Sequence, residues 1–320
     1  MPNLRQLEIL VAIAETKHFR RAAERAATTQ PNVSEQLKAL EERLGCQLVE
    51  RSRSGVLLTP IGEEVTARAR RILTEVNDIR TLASRGNEPM AGLVRLGLPP
   101  TIGPYLLPHI APALRKRFPA LKLYLQEAMP SELPRLLSEG ALDGIITILP
   151  LAPSRSNAAQ SSNGGKQAFA VESLFEEPLC LAVATDDHLA RSDRPLPRSA
   201  LAQEDVLTLG PGHQLHEAVQ QLCKDLGARL RGDFEGTSVD TLREMVIMGL
   251  GVTFLPGLYV AREIANDPNL TLLPLEGRPL KREIGLVWRK TSARGPDFEE
   301  LAAFLKSQVQ SSALLDTTHL

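Results

Sequence analysis

Residues 210–223 read GPGHQLHEAVQQLC. A Gly-Pro-Gly turn delivers His213 and Gln214 to what reads as the first turn of a helix, and Cys223 follows nine positions after Gln214. Two chemistries use such an arrangement. A turn that runs into a helix start can hold a small polar ligand or an anion on backbone N–H groups. A thiol in a suitably electropositive setting can ionise and react with oxidants. Which of the two applies depends on the elements that position these residues.

From residue 92 onward the pattern alternates. GLVRLGLP, LKLYLQEA and LDGIITIL read as strands, with helices over YLLPHIAPALRKRF and ELPRLLSEG between them. A second unit repeats the rhythm through SLFEEPLCLAVA, VLTLG, the helix from His213, GDFEG, TLREMVIMGL and GVTFLP. REIGLVWR and a helix over about 296–309 return to the first unit. Alternation of this kind predicts parallel sheet covered by helices on both faces, in two similar lobes with a cleft between them. Residues 152–168, APSRSNAAQSSNGGKQA, are low in complexity and read as a mobile surface loop. Ligands in such sheets bind outside the carboxyl ends of the strands. That rule places Thr101, Ser131, His213, Gln214, Thr237, Ser238 and Phe254 at an expected effector pocket. A plain helix N-cap is the alternative for each hydroxyl taken singly.

The first sixty residues have a different character. Leu4, Leu7, Leu10, Val11 and Ala14 recur at helical spacing, and HFRRAAERA predicts a second short helix with Phe19, Ala22, Ala23 and Ala26 inward. A tight link leads to a third helix, with Thr29 as N-cap, Pro31 in the first turn, Val33, Leu37, Leu40 and Leu44 as the buried stripe, and Gly45 at its end. This is a helix-turn-helix pattern. Thr29, Gln30, Pro31, Asn32, Ser34 and Lys38 then lie where a recognition helix enters the major groove. Gln and Asn can read adenine edges, and Lys can reach guanine or phosphate; a solvated helix face is the other reading. LVER and VLLT predict a hairpin around SRSG, a wing that would set Arg51 and Arg53 against phosphates or a minor groove.

From Pro60 the apolar residues Ile61, Val65, Ala69, Ile72, Val76, Ile79 and Ala83 step by four, four, three, four, three and four, close to a coiled-coil repeat. Pairing with a second copy of the chain is expected, and SRGNEP at 84–89 reads as a hinge. Dimers of helix-turn-helix modules bind two half-sites, so the expected target is an interrupted palindrome in double-stranded DNA.

The run RRAAERAATTQPNVSEQLKALEERLGCQLVERSRSGVLLTPIGE resembles the DNA-binding module of LysR-type transcriptional regulators over some forty constrained positions. Ala26 and Val49 stand where that family usually carries larger apolar residues. GLPPTIGPYLLPHI, LSEGALDGIITIL, LTLGPGHQLHEAVQQLC and TSVDTLREMV look like its hydrogen-peroxide-sensing branch, the OxyR branch. The resemblance implies a periplasmic-binding-protein-like effector domain of two lobes, a tetrameric assembly and activation of target promoters, with RNA polymerase as a further partner. It also implies a peroxidatic cysteine after the Gly-His of the turn and a resolving cysteine nine positions on. Cys223 matches the resolving position and is the redox candidate; the peroxidatic position holds Gln214. An amide cannot form a sulfenic acid or a disulfide. Three readings follow and stay open here. Gln214 can serve a small polar ligand, Cys180 or Cys223 can sense oxidants by another route, or glutamine can be an introduced change that fixes one state.

Composition sets the outer bounds. At 320 residues the chain is long for one core, and its net charge of −1 supplies no global basic field, so DNA contact must come from a local patch. Cys46, Cys180 and Cys223 have neither a disulfide framework nor zinc spacing, and the first residues carry no secretory pattern. A cytoplasmic protein without membrane contact is expected. No GxSxG, P-loop or paired metal-ligand motif occurs, so neither enzymatic activity nor a metal or cofactor is expected. The expected division is α/β overall. It comprises a winged helix-turn-helix over 1–59, a long linker helix and hinge over 60–89, and an effector domain over 90–320. The lobes of that domain are about 90–163 plus 268–320, and 164–267.

Overall fold

The computed structural model describes residues 1–52, 55–84, 90–151, 169–192, 194–210, 213–236, 238–264 and 267–312. The predicted loop at 152–168 and the hinge residues 85–89 lie outside them. The chain forms two compact units, Met1–Gly86 with Ser138–Ala141, and Asn87–Leu137 with Leu142–Leu320.

The first unit begins with α1 (Leu4–Thr16), which Asn3 opens with a reciprocal capping box to Gln6. The short α2 (Phe19–Arg25) and α3 (Gln30–Leu44) follow. Ile9, Leu10, Ile13, Ala22, Val33, Leu40 and Leu48 are fully enclosed where the three helices meet. The buried face of α1 centres on Ile9 and Ile13 as well as Leu7 and Leu10, while Leu4 is exposed, so the face is turned from the one the spacing predicts. Leu44 is likewise exposed, because the packed face of α3 ends one turn earlier at Leu40. Strands β1 (Val49–Ser52) and β2 (Gly55–Leu58) pair antiparallel as the wing, Val49 opposite Leu58. The long α4 (Pro60–Ser84) packs on α1 near its start, burying Thr66 and Ala69. Ile61, Ile72 and Ile79 of α4 are exposed in the single chain.

The second unit is one long sheet. It contains β3 (Gly92–Leu98), β4 (Leu121–Glu127), β5 (Gly144–Leu149), β6 (Phe169–Ala184), β7 (Asp205–Leu209), β8 (Arg229–Gly236), β9 (Val252–Pro256), β10 (Leu270–Leu273) and β11 (Lys281–Arg289). The order is β4-β3-β5-β11-β6-β9-β7-β8, with β10 on β6. The helices are α5 (Gly103–Arg117), α6 (Leu133–Ser138), α7 (Gln214–Leu226), α8 (Val239–Ile247) and α9 (Gly295–Ser311). Pairing is parallel at β3–β4, β3–β5, β7–β8 and β7–β9, as alternating strands and helices predict. It is antiparallel where β6 and β11 join the lobes, so the sheet is mixed rather than wholly parallel. The reason is topological: β6 runs through both lobes as one strand of 16 residues, and β11 re-enters beside it from the opposite direction. The unforeseen β10 pairs with residues 181–184 of β6, which puts it in the second lobe and moves the return to the first lobe on to β11.

Candidate functional site

Two places hold the residues singled out by type and spacing. In the first unit, Thr29 precedes α3 with extended backbone but makes no side-chain cap bond, and Pro31 stands in the first turn. Thr29, Gln30, Pro31 and Lys38 are exposed, and Asn32 and Ser34 are half-buried. The Asn32 Nδ2 donates to Thr28 Oγ1 at 2.7 Å, which fixes one edge of its amide. Lys38 reaches only Glu42, at 3.7 Å with both side chains largely exposed, a pairing weak enough to yield to a phosphate. Opposite this face, Val33, Leu37 and Leu40 anchor the helix in the core. Glu41, which no sequence motif marks, ties the helix to the wing: its Oε1 accepts from the N–H groups of Leu48 and Val49 at 2.8 and 3.1 Å. Glu41 had no visible signal, because acids on α3 otherwise face solvent. On the wing, Arg51 stands opposite Val56 in the hairpin, and Arg53 lies outside the described residues.

In the second unit, α7 starts at Gln214 after the turn. His213 precedes it, buried and without a side-chain cap bond. Burial, with the neighbouring His216 as a lesser cause, lowers the His213 pKa, so its imidazole is neutral at neutral pH. His216 donates from Nδ1 to the Leu209 carbonyl at 2.8 Å, and its N–H donates to the His213 carbonyl at 2.9 Å, which pins the turn to the end of β7. Cys223 lies on the same unbroken helix, buried beside Leu215, Val219 and Leu222. Nine residues of α-helix span roughly 13–14 Å along the axis. A disulfide needs Cα atoms within about 7 Å. Position 214 therefore cannot join position 223 unless the helix unwinds. Burial raises the Cys223 thiol to about 11, and burial with the nearby Glu177 charge raises Cys180 to about 12. Both thiols are thus protonated near neutral pH.

Of the other expected pocket residues, Thr101, Ser238 and Phe254 already have partners within the fold. Thr101 is buried and already engaged: its Oγ1 and its carbonyl accept from the two terminal nitrogens of Arg282, each at 3.3 Å. Ser131 is exposed. Ser238 caps α8, its Oγ accepting from the Thr241 N–H at 3.2 Å, which is the plain capping role. Phe254 is a core side chain on β9, 1 % exposed and opposite Leu181 of β6. Thr237 lies outside the described residues.

Thr101 adjoins a buried group of charged and aromatic side chains. Arg282 on β11 and Glu177 on β6 form a buried ion pair, Nε to Oε2 at 2.5 Å. The other Glu177 oxygen accepts from the Leu258 N–H at 2.9 Å. Tyr105 of α5 meets Tyr259 edge to face, ring centroids 5.2 Å apart, and Tyr259 donates to Asp240 at 3.0 Å. Segments 101–105 of the first lobe and 258–259 of the second are thereby bound to each other. The only available signal was a pair of charges inside apolar strand runs, EEPLCLAVA and KREIGLVWR.

Among the described residues no helix is long and apolar enough to cross a membrane, and no group of three or more His, Cys, Asp or Glu could hold a metal ion. Residues 4–63 match the family described as bacterial regulatory helix-turn-helix protein, lysR family, and residues 87–310 match the LysR substrate binding domain. The DNA-binding transcriptional dual regulator OxyR of Escherichia coli (strain K12) is 39% identical over 307 residues, covering 96% of each chain. The HTH-type transcriptional regulator EstR of Acinetobacter baylyi is 32% identical over 308 residues, covering 96% of this chain and 97% of that one. Among solved structures, a full-length OxyR variant from Pseudomonas aeruginosa superposes with a TM-score of 0.76 at 31% identity, covering 96% of this chain and 98% of the other.

Proposed function

The chain belongs to the LysR family of bacterial helix-turn-helix regulators, and from that premise we propose that it is an OxyR-like activator of peroxide-inducible genes whose output is not set by a disulfide between positions 214 and 223. Gln30, Asn32 and Ser34 read base edges; Thr29, Pro31, Lys38, Arg51 and Arg53 seat the module on the backbone. Two copies pair along α4 through Ile72 and Ile79 and so address an interrupted palindrome, with a dimer or a tetramer as the working form. Activation brings RNA polymerase in as a partner, and the site of action is the cytoplasm.

One observation carries the disulfide-free part. Glutamine begins an unbroken helix whose Cys223 is buried and protonated. Peroxide is attacked by a thiolate, and a carboxamide supplies none. A wider metabolite pocket is not retained, because Thr101, Ser238 and Phe254 are committed to the lobe contact, a cap and the core.

The test is thiol counting and DNA footprinting on full-length protein before and after peroxide, beside the Gln214→Cys variant. The unaltered chain is expected to keep its Cys223 thiol and its footprint on the promoter of a peroxide-inducible gene. Gln214→Cys restores an oxidisable thiol at the helix start, and peroxide is expected to unwind α7, cost two thiols in a 214–223 disulfide and shift the footprint. Rapid loss of Cys223 reactivity in the unaltered chain at low peroxide would overturn the disulfide-free reading. Absence of any preference for promoter DNA over random duplex would overturn the regulator itself.

A further inference from the structure

The second lobe contains a cavity of about 190 Å³ between the middle of β6 and the connection from β10 to β11. Six leucines line it, together with Pro178, Pro274 and Pro279, Cys180 and Arg278. Thr101, Ser131, His213, Ser238 and Phe254 are not among its lining residues. Its walls are short of donors, because the three prolines have no N–H and the N–H of Leu179 is already given to the Leu280 carbonyl at 2.8 Å. The space is half open to solvent at Pro274, Arg278 and Pro279, and its mostly apolar walls favour an apolar body with a polar end at the mouth. Its size sets that body. An engineered apolar cavity of about 150 Å³ holds one benzene, so about 190 Å³ takes six carbons or slightly more.

The one charged wall residue gives the ligand its other end. Arg278 is exposed at the cavity, and its side chain makes no ion pair or hydrogen bond among the described residues. What holds the Arg278 backbone is its neighbour Arg198, whose guanidinium donates to the carbonyls of Glu276 and Arg278 at 2.9 and 2.5 Å. The loop that presents Arg278 is thus fixed while its own guanidinium is free to bind. A planar guanidinium matches a carboxylate with two parallel hydrogen bonds.

We propose that this cavity is a binding site for a small aliphatic monocarboxylate of about six carbons, its chain among the leucines and prolines and its carboxylate on Arg278. The Cys180 thiol, held protonated by burial and the Glu177 charge, adds no negative charge to oppose the acid. Pro178 and Leu280 of the cavity wall are near neighbours in sequence of Glu177 and Arg282, so an occupant rests on the two segments that carry the lobe-joining ion pair. The proposal does not depend on how position 214 acts.

Calorimetric titration of the full-length protein with hexanoate, and separately with 1-hexanol, tests it. Hexanoate is expected to bind saturably at one per chain, about tenfold more tightly than hexanol. Arg278→Gln is expected to bring hexanoate to the level of hexanol and leave hexanol unchanged. Cys180→Leu fills the cavity and is expected to abolish both. Should that variant fail to fold, labelling of Cys180 by a small thiol reagent, with Cys46 as internal reference, replaces it: hexanoate slows labelling at 180 alone. No saturable heat, equal affinity in Arg278→Gln, or Cys180 labelling indifferent to hexanoate would each overturn the site. DNA footprints of the unaltered chain are measured separately, so loss of this site leaves the regulator reading standing.

Discussion

Helices α3 and α7 are built by the same local rules and end in different chemistry. Each begins with glutamine, Gln30 or Gln214, after a residue of extended backbone that makes no side-chain cap bond, Thr29 or His213. Each ends on a left-handed glycine, Gly45 at φ 67° or Gly227 at φ 69°. Each anchors one face, Val33, Leu37 and Leu40 in one case and Leu215, Val219 and Leu222 in the other. The difference lies in the surroundings of the first turn. Residues 29–31 are exposed, so the start of α3 can meet a macromolecule. His213 is 9 % exposed and its turn is pinned to β7, so the start of α7 can respond only to something small or to its own packing. Equal sequence grammar fixes a helix; burial decides what the helix can do.

Matched substitutions break or sharpen this comparison. The largest effect is expected from truncating each anchor. Leu40→Ala and Leu222→Ala should each destabilise their own unit by about 2–5 kcal/mol, Leu40→Ala nearer the upper end because Leu40 is wholly enclosed. Denaturant titration checks the cost, and a gel shift checks its consequence: DNA affinity falls with Leu40→Ala and holds with Leu222→Ala wherever the first unit stays folded. Equal loss of DNA affinity would erase the distinction.

Next comes the shared glutamine. Gln30→Ala should lower discrimination between the preferred operator and its base-substituted forms by about 1–3 kcal/mol. Gln214→Ala should leave that discrimination alone. Competition binding at several salt concentrations separates this from Lys38→Ala, which should weaken all sequences alike and lower the salt slope by about one.

The glycines sharpen the likeness. A Cβ at Gly45 or Gly227 would meet nothing within 4 Å, so alanine at either position carries backbone strain alone. Both variants should lose about 1–2 kcal/mol, and a marked inequality in their unfolding midpoints would show that the two ends are not equivalent.

The smallest effect is that of pH on His213. Its folded pKa lies below the ordinary 6.5, so the unfolded chain binds the proton more readily. The stabilisation is complete above about pH 6.5 and is lost as pH falls through the lowered folded value. Unfolding midpoints of the second unit at pH 7.5 and 5.5 should therefore differ more for the unaltered chain than for His213→Gln.

Much of the fold was legible because its signals are local. The spacing of Val33, Leu37 and Leu40 marks α3, LVER and VLLT mark the wing, and the steps from Ile61 to Ile79 mark α4. The rotation of α1 toward Ile9 and Ile13 was not legible, since a helix with apolar residues on most sides gives its partners the choice of face. Strand β10 was hidden because four residues next to a longer strand carry too little pattern. The partner of Thr101 was hidden for a related reason: the rule about strand ends names positions along an edge, whereas Arg282 reaches Thr101 across 181 residues of sequence.

By itself the sequence determined the two-unit plan, the helix-turn-helix and the chemistry forbidden at position 214, because periodicity, caps and functional groups belong to residues and their near neighbours. Only the tertiary structure decided that Cys223 is buried, that Glu177 and Arg282 bind lobe to lobe, and that an apolar cavity opens beside Cys180. Burial and long-range pairing depend on which distant segments share a core, and no local pattern encodes that.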